Sequence, residues 1–183
     1  MVQAKPSFWL LLAFSIVLVP IKWVLAWLIA VMVHEVFHVL VLHTCGCKIC
    51  EILIGASGIE IITESLSARQ EILSAAAGPI GSFLLLLVAR YSPVIAVCGF
   101  VQGAYNLLPL HPLDGGRVCR IVLRKFFSDR LADYVMDIIK ILIYILMLVG
   151  AAILFKISGN FVALIVAVCL VWKDGKNTLQ KSV

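Results

Sequence analysis

Two histidines and a glutamate interrupt a long apolar stretch near the start of the chain. His34, Glu35 and His38 lie within the sequence "VMVHEVFHVL", residues 31–40. Residues four apart share one face of a helix, so His34 and His38 can bind the same metal ion while Glu35 lies beside them. In this H-E-x-x-H spacing the histidines typically bind zinc and the glutamate acts as a general base. We therefore expect a metal site with His34 and His38 as ligands and Glu35 as the base.

The surroundings of this motif make its polar residues costly. Residues 22–44 are long and apolar enough to form a membrane-spanning helix. A charged side chain at the bilayer centre costs at least about 2.5–3.5 kcal/mol, so such residues are rare unless they are paired. The alternative is a chance pattern in which each histidine is hydrogen-bonded within a helix bundle. Metal binding accounts for all three residues together.

A third ligand is needed, because catalytic zinc usually has three protein ligands and keeps one position for water. Asp114 in "NLLPLHPLDGG", residues 106–116, is the best candidate. The second and fourth apolar segments run in the same direction, so His34, His38 and Asp114 all approach the same half of the membrane. Asp114 and Glu35 would also balance the charge of Zn²⁺ while the histidines stay neutral. A helix-capping aspartate at a turn is the alternative for Asp114.

The composition indicates what must position these residues. The chain is 63% hydrophobic and 14% charged, with a mean hydropathy of +1.11. Soluble domains average about 45–50% apolar and about 25% charged, so we expect an all-α polytopic membrane protein. No pattern indicates a nucleic-acid partner. Six transmembrane segments are predicted, at residues 6–20, 22–44, 70–90, 93–110, 134–156 and 159–173.

The distribution of Lys and Arg predicts the orientation in the cell membrane. With the N-terminus inside, eleven of these residues fall in cytoplasmic loops, against three on the other side (Lys22, Arg90 and Lys156). This is a positive-inside bias. We therefore expect both termini to be cytoplasmic and the metal site to lie toward the cytoplasmic half.

Three further segments carry expectations. Residues 48–64, "KICEILIGASGIEIITE", are β-branched around a turn and predict a small β-hairpin between the second and third helices. Residues 117–130 mix basic and apolar positions at helical spacing and predict an amphipathic helix at the interface. Cys45, Cys47 and Cys50 are interpreted as free thiols, with a second metal or redox site as the alternative.

Three motifs in one order resemble a known family. "HEVFH" in one apolar helix, "AAAGPIGS" at 75–82 and "NLLPLHPLDGG" at the end of a later helix are similar to the site-2 protease family of intramembrane zinc metalloproteases. The resemblance implies that His34, His38 and Asp114 bind one Zn²⁺ and that Glu35 is catalytic. It also implies that Asn106 holds the substrate or stabilises the oxyanion, with an amide bonded to a neighbouring helix as the alternative.

The resemblance implies a function as well. We expect a zinc metalloendopeptidase that hydrolyses a peptide bond within or next to a transmembrane segment of a membrane-tethered substrate, in regulated intramembrane proteolysis. The partners would be that substrate, the lipid bilayer and a regulatory membrane protein. The six segments resemble the branch typified by stage IV sporulation protein FB. Residues 1–183 are predicted to form a single protease domain without a PDZ or CBS domain. His111 receives no role beyond lining a gate or the interface.

A zinc transporter or metal-sensing membrane protein is the competing interpretation. It would use the same ligands but would need ionisable residues arranged along a path through the membrane. In this sequence they are concentrated at one site, which favours the protease.

Overall fold

The computed structural model describes residues 2–55 and 58–158 and is mostly helical, with one small sheet. The strands are β1 (Val2–Ala4), β2 (Ile49–Gly55) and β3 (Gly58–Thr63). The helices are α1 (Pro6–Leu18), α2 (Ile21–Thr44), α3 (Ala68–Leu84, continued by a 3-10 turn at Leu85–Val88), α4 (Pro93–Asn106), α5 (Asp114–Phe126) and α6 (Asp129–Ser158).

The chain divides into two compact units, residues 1–127 and residues 128–183. In the first unit α2, α3 and α4 pack against one another, and α5 packs against α3. All five predicted site residues belong to this unit. The described part of the second unit is the helix α6.

Small residues allow α3 to lie directly on α2. Seven residues of α3 are buried, and all are small or compact: Ser74, Ala75, Ala77, Gly78, Pro79, Gly81 and Ser82. A Cβ atom at Gly81 would lie 2.5 Å from Cγ of Phe37 on α2, so the Phe37 side chain leaves no room for a larger residue there. Because lipid tails are as apolar as the side chains, no hydrophobic effect drives membrane helices together. They associate instead through close packing of this kind. The "AAAGPIGS" stretch therefore sets the distance between α2 and α3.

The predicted hairpin is present, and the structure adds a third strand to it. β2 and β3 pair antiparallel over Ile49–Gly55 and Gly58–Thr63, with a bulge between Ile49 and Glu51. The sequence analysis missed β1, whose three residues pair in parallel with β2 at Ile52–Ile54. Three residues are too few to show an alternating pattern. The expectation of an all-α chain with a hairpin is thus corrected to a helical chain with a three-stranded sheet.

Three of the six predicted transmembrane segments correspond to helices that are long enough. Within the described ranges, Ile21–Thr44, Ala68–Val88 and Asp129–Ile157 are long and apolar enough to cross a bilayer. The segments predicted at 6–20 and 93–110 form helices of 13 and 14 residues, shorter than the roughly 17–25 residues of a typical membrane-spanning helix. The segment predicted at 159–173 lies outside the described residues.

The fourth segment ends earlier than predicted because prolines follow it. α4 stops at Asn106, and α5 begins at Asp114 after a loop that contains Pro109 and Pro112. This loop folds back onto the start of α5. A Cβ atom at Gly115 would collide with the carbonyl of Leu107, and one at Gly116 with the carbonyl of Leu110. The glycine pair thus lets the loop hold Asp114 at the first turn of α5.

Candidate metal centre

Helices α2 and α5 bring three potential metal ligands together. His34 and His38 are one turn apart on α2, and Asp114 is the first residue of α5. Asp114 Oδ2 lies 3.1 Å from His34 Nε2 and 3.2 Å from His38 Nε2. The two Nε2 atoms are 3.1 Å apart. In the described part of the chain this is the one group of three or more His, Cys, Asp or Glu side chains close enough to hold a metal ion, and all three members are buried.

Helix α3 contacts the Nδ1 atom of each imidazole, on the side of the ring opposite the nitrogen that faces Asp114. His34 Nδ1 lies 2.9 Å from the hydroxyl of Ser82, and His38 Nδ1 lies 2.7 Å from the backbone carbonyl of Ser74. These contacts turn the Nε2 atoms toward Asp114. In metalloproteins such hydrogen bonds on the second ring nitrogen fix the tautomer and the orientation of the ligand. In the sequence Ser82 is recognisable only as the end of the small-residue stretch at 75–82, and Ser74 precedes that stretch.

The contact between His38 Nε2 and the Asp114 carboxylate requires a cation between the two atoms, and the reason is the hydrogen bond on the other nitrogen of His38. A carbonyl oxygen can only accept, so His38 Nδ1 donates its proton to Ser74. A neutral His38 then has a lone pair on Nε2, and this lone pair faces the Asp114 carboxylate at 3.2 Å. Two buried acceptors at that distance repel each other unless a proton or a metal ion lies between them. The donor set is therefore suited to a metal cation.

The spacing of the three ligand atoms fits zinc. Zinc binds imidazole nitrogen at about 2.0–2.1 Å and carboxylate oxygen at about 2.0–2.2 Å, so ligand atoms at neighbouring corners of its tetrahedron lie about 3.3 Å apart. The three separations here are 3.1, 3.1 and 3.2 Å. Two histidines and one aspartate also match the three-ligand pattern of catalytic zinc sites.

Gly78 on α3 faces both histidines at close range. A Cβ atom there would collide with His38 Nε2 and would lie 2.7 Å from His34 Nε2. Residue 78 must therefore be glycine for the two imidazoles to adopt these positions. In the sequence Gly78 is recognisable only as part of the small-residue stretch at 75–82.

Asp114 is buried but carries a charge that its neighbours stabilise. Its residue is 7% exposed. Burial by itself raises the pKa of this carboxyl, but when protons on His34 and His38 supply the cation that their contacts with Asp114 require, the resulting hydrogen bonds and positive charge outweigh burial and hold the pKa below its usual value. Its other oxygen, Oδ1, lies 3.9 Å from Nη1 of Arg117, which also approaches Glu71.

Glu35 lies beside the ligand group, as its position in the motif predicts. It is half-buried on α2 and interacts electrostatically with both His38 and Asp114. A carboxylate at this place can exchange a proton with a water molecule near the three ligands.

Asn106 and the remaining polar candidates have other surroundings. Asn106 is the last residue of α4, and its side-chain Nδ2 donates to the backbone carbonyl of Gln102 at 3.0 Å. The predicted alternative for this amide was a bond to a neighbouring helix, whereas the bond is within its own helix.

His111 lies in the loop before α5. Cys45 and Cys47 are free thiols, and neither they nor Cys50 belong to a metal-binding group in the described ranges.

A solved structure shares this fold. The chain superposes on the site-2 protease from Methanocaldococcus jannaschii with a TM-score of 0.65, and the match covers 91% of this chain and 85% of that protein. Sequence identity over the match is 22%. The arrangement of helices and sheet described above is therefore that of a site-2 protease fold.

Sequence comparisons agree with the fold. The model of peptidase family M50 matches residues 87–150, a range that includes Asn106 and Asp114 but begins after the histidine pair. A zinc metalloprotease of Methanocaldococcus jannaschii is 28% identical over 114 residues, which cover 55% of this chain and 34% of the relative. The chain thus matches about a third of the length of that curated relative.

Proposed function

We propose that this protein is an intramembrane zinc metalloendopeptidase of the site-2 protease type. The convergence of Asp114 on His34 and His38, which lie inside the candidate membrane helix α2, carries the proposal. The match to peptidase family M50, the relative described as a zinc metalloprotease and the shared fold support it. We propose that the three residues bind one zinc ion.

In the proposed reaction Glu35 moves the protons. When bound, zinc acts as a Lewis acid that polarises a carbonyl and acidifies water. Glu35 accepts a proton from the attacking water molecule, and the water oxygen bonds to the scissile carbonyl carbon. Glu35 then delivers that proton to the nitrogen of the leaving amine as the carbon–nitrogen bond breaks. One peptide bond is broken and one water is consumed; the second proton of that water also passes to the leaving nitrogen, so the products are a carboxylate and a protonated amine.

We propose that Asn106 assists as a hydrogen-bond donor. A side-chain amide has two N–H groups, and the bond to Gln102 uses one of them. The second can donate to substrate or to the oxygen that becomes negatively charged during attack. Loss of one such donor typically lowers kcat by about 10²–10³. An Asn106→Ala variant that retains zinc should show a reduction of this kind in kcat, and an unchanged kcat would remove Asn106 from the mechanism.

The sheet offers a way to present the substrate. In the described part of the chain β3 is an outer strand of the order β1-β2-β3. A helical substrate shields its peptide bonds, whereas an added strand is extended and accessible. We propose that the substrate pairs with β3. Proline at alternate β3 positions tests this, because one alternate set points its N–H groups away from β2. If cleavage persists with both sets while zinc is retained, the strand-addition role is wrong.

The substrate is proposed to be a membrane-tethered protein cleaved within or next to its transmembrane segment, as in regulated intramembrane proteolysis. The three candidate membrane helices support a location in the bilayer. The finer features remain part of the proposal: six transmembrane segments, cytoplasmic termini, a site toward the cytoplasm, a regulatory membrane protein and the branch typified by stage IV sporulation protein FB.

A Glu35→Gln variant tests the protease proposal. It keeps the size of the side chain but cannot accept a proton, so we expect zinc to be retained and cleavage of membrane proteins to stop. Glu64→Gln is a matched control, because Glu64 is an exposed carboxylate paired with Lys48. Membrane proteomes from cells expressing wild type, E35Q and E64Q are compared for fragments. Identical processing with E35Q and wild type would contradict the proposal, and zinc uptake into vesicles without cleavage would favour a transporter.

A further inference from the structure

Arg117 connects the metal-site aspartate to a second helix. It lies one turn after Asp114 on α5, where residues three apart are neighbours. Its Nη1 atom is 3.9 Å from Asp114 Oδ1, and its Nε atom is 3.5 Å from Oε1 of Glu71 on α3. The guanidinium thus approaches two carboxylates from two helices.

The two oxygens of Asp114 consequently have different surroundings. Oδ2 faces the two imidazole nitrogens at 3.1 and 3.2 Å. Oδ1 faces the positive charge of Arg117. Rotation of the carboxylate would exchange the two oxygens or bring both toward the metal position, and in either case Oδ1 would leave the guanidinium.

We propose that Arg117, held in place by Glu71, is a positioning residue that keeps Asp114 bound to the metal through Oδ2 alone. This inference rests on the proposed metal site. Arg117 is always charged and its donors form a rigid fork, so it can hold one carboxylate oxygen while it contacts Glu71. Glu71 prevents the arginine side chain from turning away. Together they act on the metal through Asp114 without touching the metal or the substrate.

The size of the effect follows from the exposure of the pair. Loss of an outer hydrogen-bond partner of a metal ligand typically weakens metal binding by about 10–100-fold. Arg117 lies 3.9 Å from Asp114 Oδ1 and acts through its charge rather than through a hydrogen bond, which places its effect at or below the lower end of that range. Arg117 and Glu71 are each 34% exposed, and water screens such contacts. We therefore expect the lower end, roughly tenfold, for Arg117→Gln. Glu71→Gln should weaken binding by a smaller factor, because Arg117 retains its charge.

The test measures metal binding and not cleavage. Purified apoprotein is titrated with Co²⁺ and with Zn²⁺ in competition with a chelator, and the visible absorption of the Co²⁺ form is recorded. Arg120→Gln is the matched control, since Arg120 is an exposed arginine one turn further along α5. We expect weaker binding and weaker visible bands with R117Q, because a carboxylate that binds through both oxygens raises the coordination number of the metal. R117K should recover part of the loss, and R120Q should match wild type.

The outcomes separate this inference from the proposed function. Wild-type affinity and an unchanged Co²⁺ spectrum in R117Q would overturn the positioning role, as would equal losses in R117Q and R120Q. Failure of the wild-type protein to bind either metal would overturn the proposed metal site instead. If R117Q does not fold, E71Q decides: reduced affinity with an altered spectrum supports the role, and wild-type behaviour overturns it.

Discussion

Replacing Gly78 by alanine should remove the metal site while changing a single hydrogen to a methyl group. The new Cβ atom would collide with His38 Nε2, and it would lie 2.5 Å from His38 Cε1 and 2.7 Å from His34 Nε2. The methyl group would therefore occupy the space in front of the nitrogen atoms that we propose as ligands.

The displacement can be worked out from ordinary contact distances. An unstrained Cβ contact is at least 3.4 Å, so His38 Cε1 must retreat by roughly 0.9 Å from its 2.5 Å position. Metal–ligand distances tolerate changes of about 0.2 Å, several times less than this. Overpacking of this kind also costs about 1–3 kcal/mol of stability. We expect G78A to lose zinc and cleavage together and to unfold at a lower temperature.

Two other glycines provide controls for G78A. In Gly81→Ala the new Cβ would lie 2.5 Å from Phe37, and its nearest neighbours include no histidine. This variant should therefore lose a similar amount of stability but keep zinc. Among the described residues, no atom lies within 4 Å of a Cβ added at Gly150 on α6, so G150A should be neutral or stabilising by up to about 1 kcal/mol. Zinc content and thermal unfolding are measured for all three in detergent. A G78A protein with full zinc content and normal cleavage would refute the contact between α3 and the histidines.

Three further predictions concern the same site. Ser82→Ala removes the hydroxyl at 2.9 Å from His34 Nδ1, so the metal affinity measured by chelator competition should fall by roughly tenfold or more; an unchanged affinity would show that His34 needs no such partner. Removal of zinc by a chelator should abolish cleavage reversibly and lower the unfolding temperature, since saturation at about 1,000 times Kd contributes about 4 kcal/mol; a chelator-resistant activity would contradict a zinc mechanism. Asp114→Asn keeps the shape but removes the charge, so zinc loss should exceed that of S82A; equal losses would mean that the carboxylate charge is not needed.

The sequence predicted much of the site because its chemistry lies in side-chain types. The spacing of His34 and His38 is a property of any helix, and the loop before Asp114 is marked by prolines and glycines. The structure brings these three residues together as expected. The roles assigned to Glu35 and Asn106 stay predictions, because both concern contacts with water and substrate during the reaction.

Other features of the site could not be predicted from residue types. The contact of His38 with Ser74 uses a backbone carbonyl, which every residue has. Ser82 lies among alanines and glycines, where a small side chain indicates packing. The approach of Arg117 to Glu71 depends on how α5 lies against α3, and only the folded chain defines that.

The lengths of the apolar segments were less predictable than their existence. Hydropathy alone extends the fourth segment to residue 110, but α4 ends at Asn106. Likewise α1 ends at Leu18, shortly before Pro20. A run of apolar residues shows where lipid or a protein interior is tolerated, whereas the end of a helix depends on proline and on local hydrogen bonds.

Because His34 and Asp114 are far apart along the chain, a metal ion bound to both would also cross-link two distant parts of the protein. Their ligand atoms are 3.1 Å apart although 80 residues separate them, and the intervening chain includes β2, β3, α3 and α4. A zinc ion bound to both would be a cross-link across that loop. For a covalent link of this length the chain-entropy relation gives about 4.5 kcal/mol, an upper limit where helices persist in the membrane. A chain cut once between β3 and α3 would then be held together by its metal ion in addition to the packing of α2 on α3 and α4, and withdrawing the metal would weaken the association of the two fragments.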